Sequence, residues 1–124
     1  MEFALLLVGK VLYSLLFVTS GVAHITNRDA MAGYAQFKRW PAPMASVIIS
    51  GVLLIIAPIV FILGLGWLSY VALGFLALFL LATAVGFHDF WTIEDPAVRL
   101  SEKTSFFKNV SLLGATLAII ALLI

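Results

Sequence analysis

Residues 44–87 read MASVIISGVLLIIAPIVFILGLGWLSYVALGFLALFLLATAVGF and contain no charged side chain. A helix needs about 20 largely apolar residues to cross about 30 Å of hydrocarbon, so this stretch is long enough for two such helices. Between them stands Gly64-Leu65-Gly66, which is typical of a tight turn. We therefore predict membrane helices over residues 44–63 and 67–87.

Two more apolar stretches flank this pair, at about residues 3–25 and 106–124, and Lys10 and Lys108 are their only charges. No basic residue precedes the first stretch, which favours a retained helix over a signal peptide. Residues 26–43 carry apolar side chains near helical spacing, which predicts a short interfacial helix in the first loop. We expect an all-α fold with one transmembrane domain over residues 1–124, a four-helix bundle of two hairpins.

The composition excludes several classes of function. Of the 124 residues, 64% are hydrophobic and 10% are charged, whereas soluble domains average about 45–50% and about 25%. The expected surroundings are therefore the lipid bilayer. Seven basic residues against six acidic ones form no stripe for a phosphate backbone, so we expect no nucleic-acid partner. The absence of cysteine excludes thiolate catalysis and thiol redox relays.

The two long loops lie on one side of the membrane if each span reverses direction. The positive-inside rule then places these loops in the cytoplasm, and both termini outside. Six of the seven basic residues lie in the two long loops or next to them. They are Arg28, Lys38, Arg39, Arg99, Lys103 and Lys108.

Lys10 is the one charge well inside the first span, where an ammonium costs about 2.5–3.5 kcal/mol on insertion scales. Lys10, Ser14, Phe17, Gly21 and His24 follow helical spacing and so share one face. Lys10 could make an intramembrane polar contact on this face. The alternative is that its long side chain reaches the outer headgroups and has no other role.

A polar layer is predicted near the loop side of the membrane. His24 and His88 end the first and third spans, Asp89 adjoins His88, and Lys108 and Asn109 begin the fourth span. A carboxylate beside an imidazole and a nearby lysine or amide suit the carbonyls of a quinone head group. Alternatively, these residues only meet interfacial water and cap helix ends.

Metal chemistry is less well supported by these residues. His24, His88 and Asp89 have the right ligand types for a divalent metal, but their spacing matches no metal signature, and we predict no metal site. Haem ligation by the two histidines is disfavoured, because His88 stands at the membrane edge beside a carboxylate.

Several segments resemble the DoxX family of small four-helix bacterial membrane proteins. They are Gly9-Lys10-Val11-Leu12-Tyr13, residues 17–24, Pro41 with Pro43, residues 86–91 (GFHDFW) and Phe106-Phe107-Lys108-Asn109. The resemblance implies a location in the bacterial cytoplasmic membrane and a relation to the small subunit of a thiosulfate-to-quinone oxidoreductase. The family often has an arginine where Lys10 stands and a glutamate within residues 47–54, which this chain lacks. We therefore transfer only His88, Asp89, Lys108 and Asn109 as a shared polar site.

Two hypotheses about function follow. In the first, the chain is at most a membrane subunit of an oxidoreductase, binding quinone at the loop side and receiving electrons from a partner. In the second, it is a non-catalytic scaffold, assembly or accessory subunit that packs against a larger membrane complex or copies of itself, because small-residue helix faces permit close approach. The hypothesis of a small-solute transporter or channel is less well supported, because few polar residues would line its path.

Overall fold

The computed structural model describes residues 1–123 and is helical in every regular element. Four of its helices are long and apolar enough to span a membrane, which confirms the predicted all-α membrane architecture. A 3₁₀ turn, Phe90–Thr92, precedes the last helix. The α-helices are α1 Glu2–Thr26, α2 Arg28–Phe37, α3 Pro43–Leu63, α4 Trp67–Phe87 and α5 Pro96–Leu123.

The fourth long helix, α5, begins ten residues before the predicted start of that span at residue 106. Asp95 explains the earlier start, since its Oδ1 accepts the backbone N–H groups of Ala97 at 2.9 Å and Val98 at 3.3 Å. Pro96 then occupies the first helical position, where its missing N–H costs nothing. The other three long helices lie within one residue of the predicted bounds. Ile124, the predicted end of the fourth span, lies outside the described residues.

The chain divides into two compact units, Met1–Ala72 and Leu73–Ile124. In the first unit, α1 and α3 run antiparallel and approach most closely where Gly21 faces Gly51. A Cβ added to Gly21 would lie 2.6 Å from the Gly51 carbonyl oxygen, and one added to Gly51 would lie 2.7 Å from the His24 Cβ. The two backbones are therefore in direct contact, which only glycine permits.

The turn after α3 requires glycine at both ends. Gly64 has φ 65° and Gly66 has φ 57°, both in the left-handed region that side chains with a Cβ rarely adopt. The Gly64 N–H donates to the carbonyl oxygens of Val60 and Phe61 and so caps α3. The structure thus contains the tight turn that the two glycines predicted.

The first loop contains the expected short helix. α2 buries Ala32 and Ala35, whereas Tyr34 and Phe37 are 39% and 76% exposed. This division into a buried small-residue face and an exposed aromatic one suits a helix lying at a membrane surface. Its position relative to the headgroups stays a prediction.

In the second unit, α5 presents one polar stripe. Glu102 is half-buried, and Asn109 and Thr116 are buried. These residues follow a spacing of i, i+7 and i+14 and therefore lie on one helical face. Apart from Glu102, the first turns of α5, up to Thr104, are exposed and partly polar.

Replacing Gly21 with alanine tests the contact between α1 and α3. We expect Gly21→Ala to lower the free energy of unfolding by about 1–3 kcal/mol, the usual cost of overpacking. Gly9→Ala is the matched control on the same helix, because a Cβ there meets no atom within 4 Å. It should be neutral or stabilising by up to about 1 kcal/mol. Thermal unfolding in detergent measures both, and equal stability of the two variants would contradict the close contact.

Candidate functional site

The site is built on the segment that follows α4. The His88 N–H donates to the Thr83 carbonyl oxygen at 3.1 Å, and the Phe90 N–H donates to the His88 carbonyl oxygen at 2.9 Å. The Thr92 hydroxyl donates to the backbone and carboxylate oxygens of Asp89 at 2.9 and 3.0 Å. These short-range hydrogen bonds fix the backbone that carries the His88 and Asp89 side chains.

The His88 imidazole contacts Glu102 on α5. Nδ1 of His88 lies 2.8 Å from Oε2 of Glu102, and the two side chains are 25% and 22% exposed. A carboxylate can only accept, so Nδ1 carries the hydrogen in this contact. Within residues 1–123, the ring makes no second hydrogen bond. Its Nε2 can therefore serve a ligand.

An aromatic cluster surrounds this end of α5. The Phe90 ring centre lies 5.4 Å from those of Trp91 and Phe106, and the Trp91 and Phe106 centres are 5.6 Å apart. Phe107 adds an edge contact to Phe106 at 5.2 Å. Such tilted and edge contacts stabilise ring packing by about 0.5–1.5 kcal/mol each. The cluster gives the His88 segment a firm apolar support.

Asn109 and Lys108 have different surroundings. Asn109 is 6% exposed, and its Nδ2 donates to the Thr83 hydroxyl oxygen at 2.9 Å. The Thr83 hydroxyl donates in turn to the Phe79 carbonyl oxygen at 2.8 Å. Lys108 is exposed. Thr83 therefore contacts both residues: its side-chain hydroxyl accepts from Asn109, and its backbone carbonyl accepts from the His88 N–H.

The two predicted residues of the first unit, His24 and Lys10, lie 14 residues apart on α1 (Glu2–Thr26). Nδ1 of His24 is 2.6 Å from the Ser20 carbonyl oxygen. Nζ of Lys10 lies 5.0 Å from the Phe61 ring centre. The same Nζ would lie 3.9 Å from a Cβ added to Gly64. The Lys10 ammonium therefore reaches the Gly64 turn. One turn further along α1, the buried Ser14 hydroxyl has no hydrogen-bond partner within residues 1–123.

Two residues of this site were missed by the sequence reasoning. The predicted spans leave Glu102 in the loop before residue 106 and Thr83 inside the span over residues 67–87, so neither is named as a site residue by the sequence. Asp95-Pro96 is a sequence signal for a helix start. If the helix begins there, Glu102 lies four residues before Phe106 and seven before Asn109, and so shares a helical face with them. Among residues 1–123, no group of three or more His, Cys, Asp and Glu side chains could hold a metal ion.

Four membrane-length apolar helices and a half-buried polar pair define the chain as a multi-pass integral membrane protein that contacts the lipid bilayer. It is 32% identical over 113 residues to the inner membrane protein YphA of Escherichia coli (strain K12), a match that covers 91% of this chain and 79% of that protein. The chain belongs to the family of that protein. No protein-family model matches the chain, and no solved structure does.

A double-mutant cycle measures the contact between α4 and α5. Thr83→Val and Asn109→Leu should each destabilise the protein, because the first leaves the buried Asn109 amide without its acceptor and the second removes the donor to the Thr83 hydroxyl oxygen. We expect a coupling energy of about 0.6 kcal/mol, with an upper bound of about 1.7 kcal/mol, the range found for hydrogen bonds between membrane helices. Thr104→Val, at an exposed threonine, is the control. Strict additivity in thermal unfolding would contradict a direct hydrogen bond.

Proposed function

We propose that this chain is a DoxX-like protein of the bacterial inner membrane that binds quinone head groups for a redox partner. The hydrogen-bonded pair of His88 and Glu102 carries the proposal. Asp89, Lys108 and Asn109 would form the polar surroundings of this loop-side site. The contribution of His24 stays a prediction from the sequence.

The His88 imidazole supplies the proton chemistry of the proposed site. When the ring is protonated, Nδ1 donates to Glu102, and Nε2–H can donate to a quinone carbonyl oxygen. Two electrons from a partner then allow His88 to pass its Nε2 proton to the reduced oxygen. Glu102 holds the ring during this transfer, and water at the loop side returns the proton. The second proton is drawn from bulk solvent at the loop side, which completes the two-electron, two-proton reduction to quinol.

The neighbouring groups fit this ligand class. The rings of Phe90, Trp91 and Phe106 provide apolar faces beside the polar pair. A quinone needs both kinds of contact, because its ring is flat and apolar and its two carbonyls are polar. In this proposal the chain is a subunit that receives its electrons from a partner, because it has no cysteine for a thiol relay of its own.

Quinone binding tests the proposal directly. We expect a short-chain quinone to quench Trp91 fluorescence in protein that carries Trp40→Phe and Trp67→Phe and is reconstituted in lipid nanodiscs. His88→Ala and Glu102→Gln should weaken binding about tenfold, which corresponds to about 1.4 kcal/mol for a charge-assisted hydrogen bond. Glu94→Gln is the matched control, because Glu94 is an exposed carboxylate of the same connection. Equal affinity in all four proteins, or no quenching in the chain with neither site residue changed, would refute the proposal.

A scaffold or accessory role is the second candidate, and the start of α1 favours it. Residues 2–9 are exposed on every side, and Lys10, which follows them, already reaches the Gly64 turn. The apolar first turns therefore continue beyond the end of α3. Gentle extraction followed by native mass spectrometry tests this role. Protein subunits or further copies without bound quinone would support it, and a monomer with quinone would oppose it.

We further propose that the loops between α1 and α3 and between α4 and α5 face the cytoplasm. The basic residues of these loops support this orientation. Because the chain has no cysteine, single-cysteine variants can be labelled with maleimide without background labelling of native residues. We expect an impermeant maleimide added to whole cells to label Leu65→Cys, and to label Ser101→Cys only after permeabilisation. The reverse pattern would invert the proposed topology.

A further inference from the structure

A groove of about 680 Å³ lies between α2 and the start of α3, entirely within the first unit. This volume falls in the range of small-ligand sites, about 300–1,000 Å³. The groove is distant in sequence from the His88 pair and forms no part of the proposed quinone site. The lining residues that matter below are Asp29, Gly33, Gln36, Arg39, Trp40 and Met44.

The groove exists because α2 presents small residues to it. Ala32 lines the groove and is only 8% exposed. A Cβ added to Gly33 would meet no atom within 4 Å, so the space beside this glycine is open. A larger side chain at position 33 would occupy the groove without displacing neighbouring protein atoms.

Opposite charges line the two ends of the groove. Asp29 lies in the first turn of α2, and Arg39 follows the end of that helix. Ten residues separate them, which corresponds to about 15 Å along a helix. Within residues 1–123 neither side chain makes an ion pair. One carboxylate and one guanidinium are thus available to a ligand that carries both charges.

The backbone at the Arg39 end is held in a costly conformation. Arg39 has φ 59° and Ala42 has φ 44°, the left-handed values that side chains with a Cβ rarely adopt. Each such residue costs on the order of 1 kcal/mol, and such strain concentrates at ligand sites. The consequence here is that Arg39 and Trp40 are both placed along the groove.

The residues beside the groove suit a membrane surface. Phe37 is 76% exposed on the same helix, and Trp40 and Met44 add an aromatic ring and an apolar side chain next to the charged groups. Tryptophan prefers the headgroup layer, where phosphate, ammonium and acyl carbon atoms are all within reach. The groove thus combines the chemistries that a phospholipid headgroup and its first acyl carbons require.

We propose that this groove binds a phospholipid with a zwitterionic phosphoethanolamine headgroup. The lipid ammonium contacts Asp29, and the phosphate takes paired hydrogen bonds from Arg39, a geometry that guanidinium matches well. The Gln36 amide lies between them, and Met44 contacts the start of an acyl chain. This site is independent of quinone binding.

Native mass spectrometry of protein released from equimolar phosphatidylethanolamine and phosphatidylglycerol bilayers tests the site. We expect the unmodified chain to retain about tenfold more phosphatidylethanolamine, equivalent to one charge-assisted contact. Asp29→Asn should bring this ratio to about one, because only the ammonium contact is lost. Arg39→Gln should reduce retention of both lipids, since both carry phosphate.

Gly33→Leu provides a test that does not remove a charge. Leucine is a better helix former than glycine, and its side chain enters open space, so the fold should be kept. We expect this variant to retain neither lipid while its circular dichroism is unchanged. Glu94→Gln and Arg99→Gln are controls that make matched charge changes at exposed residues outside the groove, and both should retain lipid normally.

Three results would overturn the proposal. The first is equal retention of the two lipids by the unmodified chain. The second is an unchanged lipid ratio in Asp29→Asn or unchanged retention in Gly33→Leu. The third is binding of soluble phosphoethanolamine as tightly as the lipid, which would make a free metabolite rather than a phospholipid the ligand.

Discussion

The first unit depends on one backbone contact, where Gly21 of α1 meets Gly51 of α3. Inside a membrane, lipid tails are as apolar as leucine side chains, so helices gain little from burying apolar surface against each other. Close approach of backbones supplies the van der Waals contact that replaces this driving force. The two glycines therefore fix the pairing of α1 with α3, which places His24 beside Gly51 and Lys10 beside Gly64.

The second unit depends on where α5 begins. Asp95 and Pro96 start this helix well before its apolar part, so its first turns are polar and carry Glu102. The same helix therefore brings Glu102 to His88 and, two turns later, Asn109 to Thr83. A capping residue outside the apolar region thus determines which side chains meet at the loop side.

The spans were predictable because apolar length is a local property that can be counted along the chain, and the turn at Gly64 and Gly66 follows from their conformational freedom. The site was predictable only in part. His88 and Asn109 could be named as polar residues at helix ends. Their partners could not, because Glu102 and Thr83 are 14 and 26 residues away, and no local pattern marks such pairs.

Composition and the lengths of the apolar stretches are enough to predict an all-helical membrane protein with four spans, since too few polar side chains are present for a water-facing surface. Three features appear only in the folded chain: the contact between Gly21 and Gly51, the pairing of His88 with Glu102, and the charged groove beside the small residues of α2. The reason is physical: hydrophobicity accumulates residue by residue, whereas hydrogen bonds, close backbone contacts and grooves depend on how distant segments are oriented in space.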